Sequence, residues 1–256
     1  MRAVLLLSAL ICAIGFLSET PQGKAALAPV LDRFDQRPVR RILIIGNSRT
    51  YYHDMPRMVR QIADGARSPV RFDITTLAWG GASFEENWTN AEVQRALSQH
   101  WDQIILQPES RAVSGDQNRQ SFATYGEKLV AAGRSTNSPV ALIINWAYAE
   151  QAYGSSADRR AHIEMLEESE RILAGNGGAQ IIDTSAVWEK VHAANPALPL
   201  YDDDNHPSIY GSYLSALMLE GFLAKGGVTE TDFDPPATSK DSTAVIKNAV
   251  TDYYRS

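Results

Sequence analysis

Val39-Arg40-Arg41-Ile42-Leu43-Ile44-Ile45-Gly46-Asn47-Ser48 is the stretch on which the fold turns. Its apolar residues form an unbroken, β-branched run with no polar alternation, the pattern of a strand covered on both faces. Gly46 ends the run, and Met55–Ala66 follows with apolar residues at helical spacing. Outward from there the pattern repeats. Val70–Trp79, Gln103–Leu106, Pro139–Asn145 and Gln180–Ile182 read as further strands. Ala91–Leu97, Ser121–Ala132, Asp158–Leu173, Ala186–His192 and Ser208–Leu223 read as helices between and after them. In Asp158–Leu173 the apolar positions are Ile163, Leu166, Ile172 and Leu173, with Glu164, Glu167, Glu168 and Arg171 facing solvent. Strands that alternate with helices imply βαβ crossovers and an α/β domain built on a parallel sheet of about five strands.

Composition sets the outer limits. The chain has 256 residues, 44% hydrophobic and 21% charged, which suits one globular domain. Its 24 Lys and Arg against 30 Asp and Glu give a formal charge of −6, a poor match for nucleic acid or an anionic membrane surface. At the N-terminus Arg2 precedes an uncharged Ala3–Leu17 stretch, with Ala26-Leu27-Ala28 as an A-x-A-like cleavage site. That layout reads as a secretory leader over residues 1–28, with an uncleaved N-terminal anchor as the alternative; it is too short to span a membrane comfortably, so export without stable membrane insertion is expected. The single cysteine, Cys12, falls inside the leader, which leaves the mature chain without a disulfide or a thiol nucleophile. Residues 39–225 form the expected catalytic domain, and 226–256 read as a peripheral C-terminal extension.

In an open parallel sheet, sites form beyond the carboxyl ends of the strands. Gly46-Asn47-Ser48 stands at such an end, where a serine presents its hydroxyl in a tight turn; by itself, Ser48 or Thr50 could equally cap the next helix. A second cluster, Tyr201-Asp202-Asp203-Asp204-Asn205-His206-Pro207-Ser208, precedes the last helix. With Asp203 three positions before His206, the carboxylate reaches the imidazole Nδ1–H and leaves Nε2 to accept a proton from a serine. Hydroxyl, base and orienting acid together point to nucleophilic catalysis by Ser48. His53, His100, His162 and His192 show no metal-ligand spacing, and neither metal nor cofactor is expected.

These residues resemble a known family. Gly46-Asn47-Ser48 is similar to the Gly-Asp-Ser block of SGNH/GDSL hydrolases, and Asp203-x-x-His206-Pro207 resembles their closing D-x-x-H block. The run His206-Pro207-Ser208…Gly211-Ser212-Tyr213-Leu214 looks like one branch of that superfamily. The resemblance implies a flavodoxin-like three-layer α/β/α sandwich and a serine esterase with Ser48, Asp203 and His206 as its triad. It also implies an oxyanion hole from the Ser48 N–H, a glycine N–H after the second strand (Gly80 or Gly81, with Gly81 chosen by loop position) and a side-chain amide after the third strand. The usual G-x-N-D of that third block is absent; Leu106-Gln107-Pro108-Glu109-Ser110 stands there, and Gln107 is the amide available.

Tyr51, Tyr52 and His53 follow the nucleophile, Trp79 ends the second strand, and Asn145 and Trp146 end the fourth. Aromatic rings at strand ends suit stacking on sugar faces. Asn47, Tyr51, Trp79, Asn145 and Trp146 are therefore expected substrate contacts, and the expected substrate is a small acyl ester, possibly acetyl, on a saccharide or another small molecule. Transfer of the acyl group to a sugar hydroxyl, or glycan binding without catalysis, are the alternatives left open. An α/β-hydrolase is disfavoured, because Thr50 occupies the last position of the G-x-S-x-G elbow.

Overall fold

The position of β1 (Val39–Asn47) explains its uninterrupted apolar run. In the computed structural model, which describes residues 35–225 and 230–256, β1 lies inside a five-stranded sheet of order β2-β1-β3-β4-β5. The partners are β2 (Arg71–Trp79), β3 (Gln103–Leu106), β4 (Val140–Ile144) and β5 (Gln180–Asp183). All four pairings are parallel, and Ile44 stands opposite Thr76 on one side and Ile105 on the other. The expected leader over 1–28 lies outside the described residues.

Period-two geometry sends alternate β1 side chains to opposite faces. Ile42 and Ile44 pack with Met55, Val59, Ile62, Trp188 and Leu217, while Leu43 and Ile45 pack with Phe84, Val93, Phe122, Leu129 and Leu173. Each of these four β1 side chains is fully buried, worth roughly 1.5–3 kcal/mol apiece on transfer from water. The first face is covered by α2 (Met55–Gly65), α7 (Thr184–Ala194), α8 (Ile209–Leu223) and α9 (Lys240–Arg255). The second is covered by α3 (Phe84–Thr89), α4 (Ala91–Leu97), α5 (Asp116–Ser135) and α6 (Ser156–Gly177). A single short helix, α1 (Ser48–Tyr51), continues directly from β1. The result is a flavodoxin-like three-layer α/β/α sandwich, with its topological switch between β1 and β3, where a crevice opens at the carboxyl ends.

Two expectations change. On α6 the inward stripe is Leu166, Glu170, Leu173 and Ala174, and Ile172 is 55% exposed. At 100° per residue Ile172 points well away from the Leu166–Leu173 line, so a buried glutamate occupies the stripe instead. The segment after residue 225, read as peripheral, supplies α9. Its Ile246, Ala249 and Val250 enter the core beneath α8, and the Tyr254 hydroxyl donates to the Met218 carbonyl at 2.5 Å. Ahead of α9, Thr231 Oγ1 donates to the Ile62 carbonyl at 3.0 Å, and the Tyr213 hydroxyl donates to the Phe233 carbonyl at 2.7 Å.

Two measurements follow from this packing. Ile246→Ala is expected to lower the unfolding free energy by about 2–5 kcal/mol, against about 0.5 kcal/mol or less for a solvated tail, read from urea midpoints. The second concerns Glu220 on α8, which is 1% exposed with neither carboxyl oxygen hydrogen-bonded, and which burial holds up at about 7. Below the ordinary glutamate range both states keep the proton. As pH rises from there towards about 7 the unfolded chain loses it first, so stability falls across that window and then levels off. The loss should be on the order of 3 kcal/mol and absent in Glu220→Gln, measured by denaturation between pH 4 and 8.

Candidate active site

β1 stops where its side chains begin to serve as tethers. A Cβ at Gly46 would overlap Thr50 Oγ1 and crowd the Gln107 side chain, so the residue before the turn must be glycine. Asn47 is extended and caps α1 by accepting from the Arg49 N–H at 3.2 Å. Its Nδ2 donates to the carbonyls of Pro108 at 3.0 Å and Ala82 at 3.4 Å, which pins the turn to the loops after β3 and β2. Ser48 is then the first residue of α1, at the crevice and 8% exposed.

The loop before α8 is closed by an isolated antiparallel bridge between Tyr201 and Pro207, with the Asp202 N–H donating to the His206 carbonyl at 3.0 Å. Inside this pinch Asp203 Oδ1 accepts from the backbone N–H groups of Asn205 at 2.7 Å and His206 at 2.6 Å. Asp203 Oδ2 lies 2.7 Å from His206 Nδ1, and His206 Nε2 lies 3.0 Å from Ser48 Oγ. Partial burial pushes the Asp203 carboxyl up, but these N–H donors outweigh it and hold the group at about 2. Tyr52 stacks on the imidazole with centroids 4.2 Å apart and planes 5° from parallel, and so fixes the ring plane. Ser48, Asp203 and His206 thus form one hydrogen-bonded line.

Other expected contacts are placed differently. Gln107 is buried, and its Nε2 donates to the Pro108 carbonyl at 2.5 Å and to Asn145 Oδ1 at 2.8 Å. With both amide hydrogens engaged inside the protein, it has no donor left for an oxyanion. Its Oε1 accepts from Thr50 Oγ1 at 2.9 Å and from the Asn47 N–H at 3.4 Å. Asn145 is fully buried beside it and donates to the Pro108 carbonyl at 2.9 Å. Asn47, Gln107 and Asn145 therefore converge on one carbonyl as a buried amide knot beneath the site. Trp146 is buried too, stacked on Trp188 at 4.3 Å. None of Asn47, Asn145 and Trp146 presents a surface to substrate. Tyr51 and Trp79 remain open, 42% and 36% exposed, and Gly81 takes φ +69° in a turn with open space where a Cβ would stand.

Sequence reading passed over Arg49. Its guanidinium is buried, donates from Nε at 3.1 Å and Nη2 at 2.7 Å to Asn205 Oδ1, and from Nη1 at 2.7 Å to the Trp146 carbonyl. Burial pulls it down to about 10, still charged at neutral pH. Glu170 lies behind the knot, accepting from the Asn145 N–H at 3.0 Å, and burial pushes its carboxyl well above the usual range. Glu109 is likewise raised by burial, against stabilising backbone N–H groups including that of Phe84. A polar residue after a strand end was the available signal for Arg49; the two buried acids carry no such mark. Among the described residues no group of three His, Cys, Asp or Glu side chains gathers to hold a metal ion.

No protein-family model and no curated protein matches the chain. Solved structures do. A DUF4886 family protein from Bacteroides uniformis superposes with a TM-score of 0.71 at 17% identity, covering 84% of this chain and 94% of that one. A candidate SGNH hydrolase from Slackia heliotrinireducens gives 0.58 at 25% identity, covering 72% and 99%. The acetyl xylan esterase AlAXEase gives 0.57 at 15% identity, again covering 72% and 99%. The chain shares its fold with SGNH/GDSL hydrolases.

The amide knot makes a distinguishing prediction for Gln107→Ala. It strips partners from Thr50, Asn145 and Asn47, so the unfolding free energy should fall by about 2–4 kcal/mol. An oxyanion donor would instead give a rate loss of about 10²–10³ with stability intact. Paired denaturation and ester-hydrolysis assays separate the two, and less than a tenfold rate loss is expected.

Proposed function

We propose that the protein is a serine esterase that removes a small acyl group, acetyl being the leading candidate, from a saccharide or related polar alcohol. The observation that carries this reading is the continuous line from Ser48 Oγ to His206 Nε2 at 3.0 Å and from His206 Nδ1 to Asp203 Oδ2 at 2.7 Å. Asp203, held ionised, keeps the imidazole proton on Nδ1, which leaves Nε2 as the acceptor facing the hydroxyl. Ser48 Oγ attacks the ester carbonyl while its proton passes to His206 Nε2. The resulting oxyanion is received by the backbone N–H groups of Ser48 and Gly81; with Gln107 engaged elsewhere, two donors do this work. His206 then returns the proton to the departing alcohol oxygen. Water repeats the sequence on the acyl-enzyme and releases the carboxylic acid.

Two further features agree with the reading. Tyr51 and Trp79 stand exposed beside the nucleophile turn, Tyr51 three residues after Ser48 and Trp79 directly opposite Asn47 across the β1–β2 pair, where a sugar face would stack. The AlAXEase structure, which shares the fold, is that of an acetyl xylan esterase. Export through the leader would place such an enzyme where saccharide esters are met outside the cytoplasm. The test is hydrolysis of a chromogenic acetyl ester and of acetylated xylo-oligosaccharides by wild-type and Ser48→Ala protein. Ser48→Ala should lose at least about 10⁴-fold in kcat/KM while unfolding at the same denaturant concentration. Equal activity in the two proteins would sink the proposal.

A further inference from the structure

The Ser48–His206 contact joins residues 158 positions apart, one on a turn and one on an irregular loop. A single hydrogen bond between a hydroxyl and an imidazole is too weak to hold that loop in register, yet catalysis needs placement within roughly 0.5 Å. We infer that Arg49 is the positioning residue that sets this distance: its guanidinium, one residue after the nucleophile, grips the carboxamide of Asn205, one residue before the imidazole. The inference rests on the esterase reading and deepens it.

Three observations carry it. The grip is two-pronged, Nε at 3.1 Å and Nη2 at 2.7 Å from one oxygen, and Nη1 anchors the same plane to the Trp146 carbonyl at 2.7 Å. The guanidinium lies over the Trp146 ring at 4.7 Å and the Tyr148 ring at 5.5 Å, and Trp146 is itself stacked on Trp188, so the plane has little freedom. Finally, no carboxylate forms an ion pair with Arg49 among the described residues, although it is only 2% exposed. An apolar side chain of similar length would fill the space without burying an unpaired charge, so packing does not account for the arginine.

The loop has other tethers. The Ala149 N–H donates to the Asp204 carbonyl at 2.8 Å, Gln151 Nε2 to Asp204 Oδ1 at 2.6 Å, and the Tyr201 hydroxyl to the Ala147 carbonyl at 2.9 Å. His53 Nε2 lies 2.8 Å from Asp202 Oδ2 on the exposed side. These hold the loop as a body. Arg49 alone among the described residues bonds between the neighbours of both reacting groups.

Asn205 gives the decisive variants, because it is half-buried on the loop and its backbone N–H, which serves Asp203, survives substitution. With an acetyl ester, Asn205→Ala and Arg49→Lys should each lose about 10²-fold in kcat, with KM within about threefold of wild type. The double variant should be no more than about threefold worse than either single, because both break the same contact. Asn205→Asp, which keeps an acceptor oxygen, should recover most of the loss. If Arg49→Lys does not fold, the Ala and Asp variants at 205 decide alone. A kcat for Asn205→Ala within threefold of wild type, no recovery in Asn205→Asp, or losses that multiply in the double variant would overturn the role of Arg49. Ser48→Ala run in parallel separates the two levels. Activity independent of Ser48 overturns the esterase reading and this inference together, whereas Ser48-dependent activity indifferent to Asn205 overturns this inference alone.

Discussion

The site depends on a loop without regular structure being held against the buried carboxyl end of β1. His206 meets Ser48 at 3.0 Å only because residues 201–207 are folded back on themselves and fastened to their surroundings. The fastening is polar and largely local: Asp203 receives three N–H donors from Asn205 and His206, and Ser208 caps α8 by accepting from Tyr210 and Gly211. Gly211 is needed there because a Cβ would run into the Leu200 carbonyl and the Trp188 ring. The Asp-x-x-His-Pro-Ser motif is therefore a turn and a helix start as much as a set of reactive groups. Its chemistry and its folding use the same atoms.

Beneath Ser48 and His206 the strand ends are tied together by side-chain amides. Asn47, Gln107 and Asn145, from the ends of β1, β3 and β4, all donate to the Pro108 carbonyl. The knot welds three strand ends together at the switch point, where a parallel sheet has no further ladder partners to offer. It consumes the amide expected to face substrate.

Burial of unusual groups concentrates near this crevice. Arg49, Glu170 and Glu109 are all withdrawn from water within or just behind it. Burial moves all three towards their neutral forms, lowering Arg49 to about 10 and raising the two carboxyls. The crevice floor is thus a dry, polar environment, unlike the solvated surface on which Tyr51 and Trp79 lie.

The sequence by itself determined the layers and the pairing of Asp203 with His206. The Ile42–Ile45 run demands cover on both faces whatever else is true, and the three-residue spacing of Asp203 and His206 places acid and imidazole together on any tight turn. Both are local properties of the chain. Helix α9 was legible in principle, since Ile246, Ala249, Val250 and Tyr253 keep helical spacing, but nothing in the spacing says what core it meets. Tertiary structure alone decided which polar residues face the crevice and which face each other. Asn47, Gln107 and Asn145 are far apart in sequence, and an amide's two hydrogens go wherever the nearest acceptors lie. Arg49 could not be told from a surface arginine until the loop carrying Asn205, 156 residues away, closed over it. Burial is a property of what arrives on top of a residue, and the residue itself does not record it.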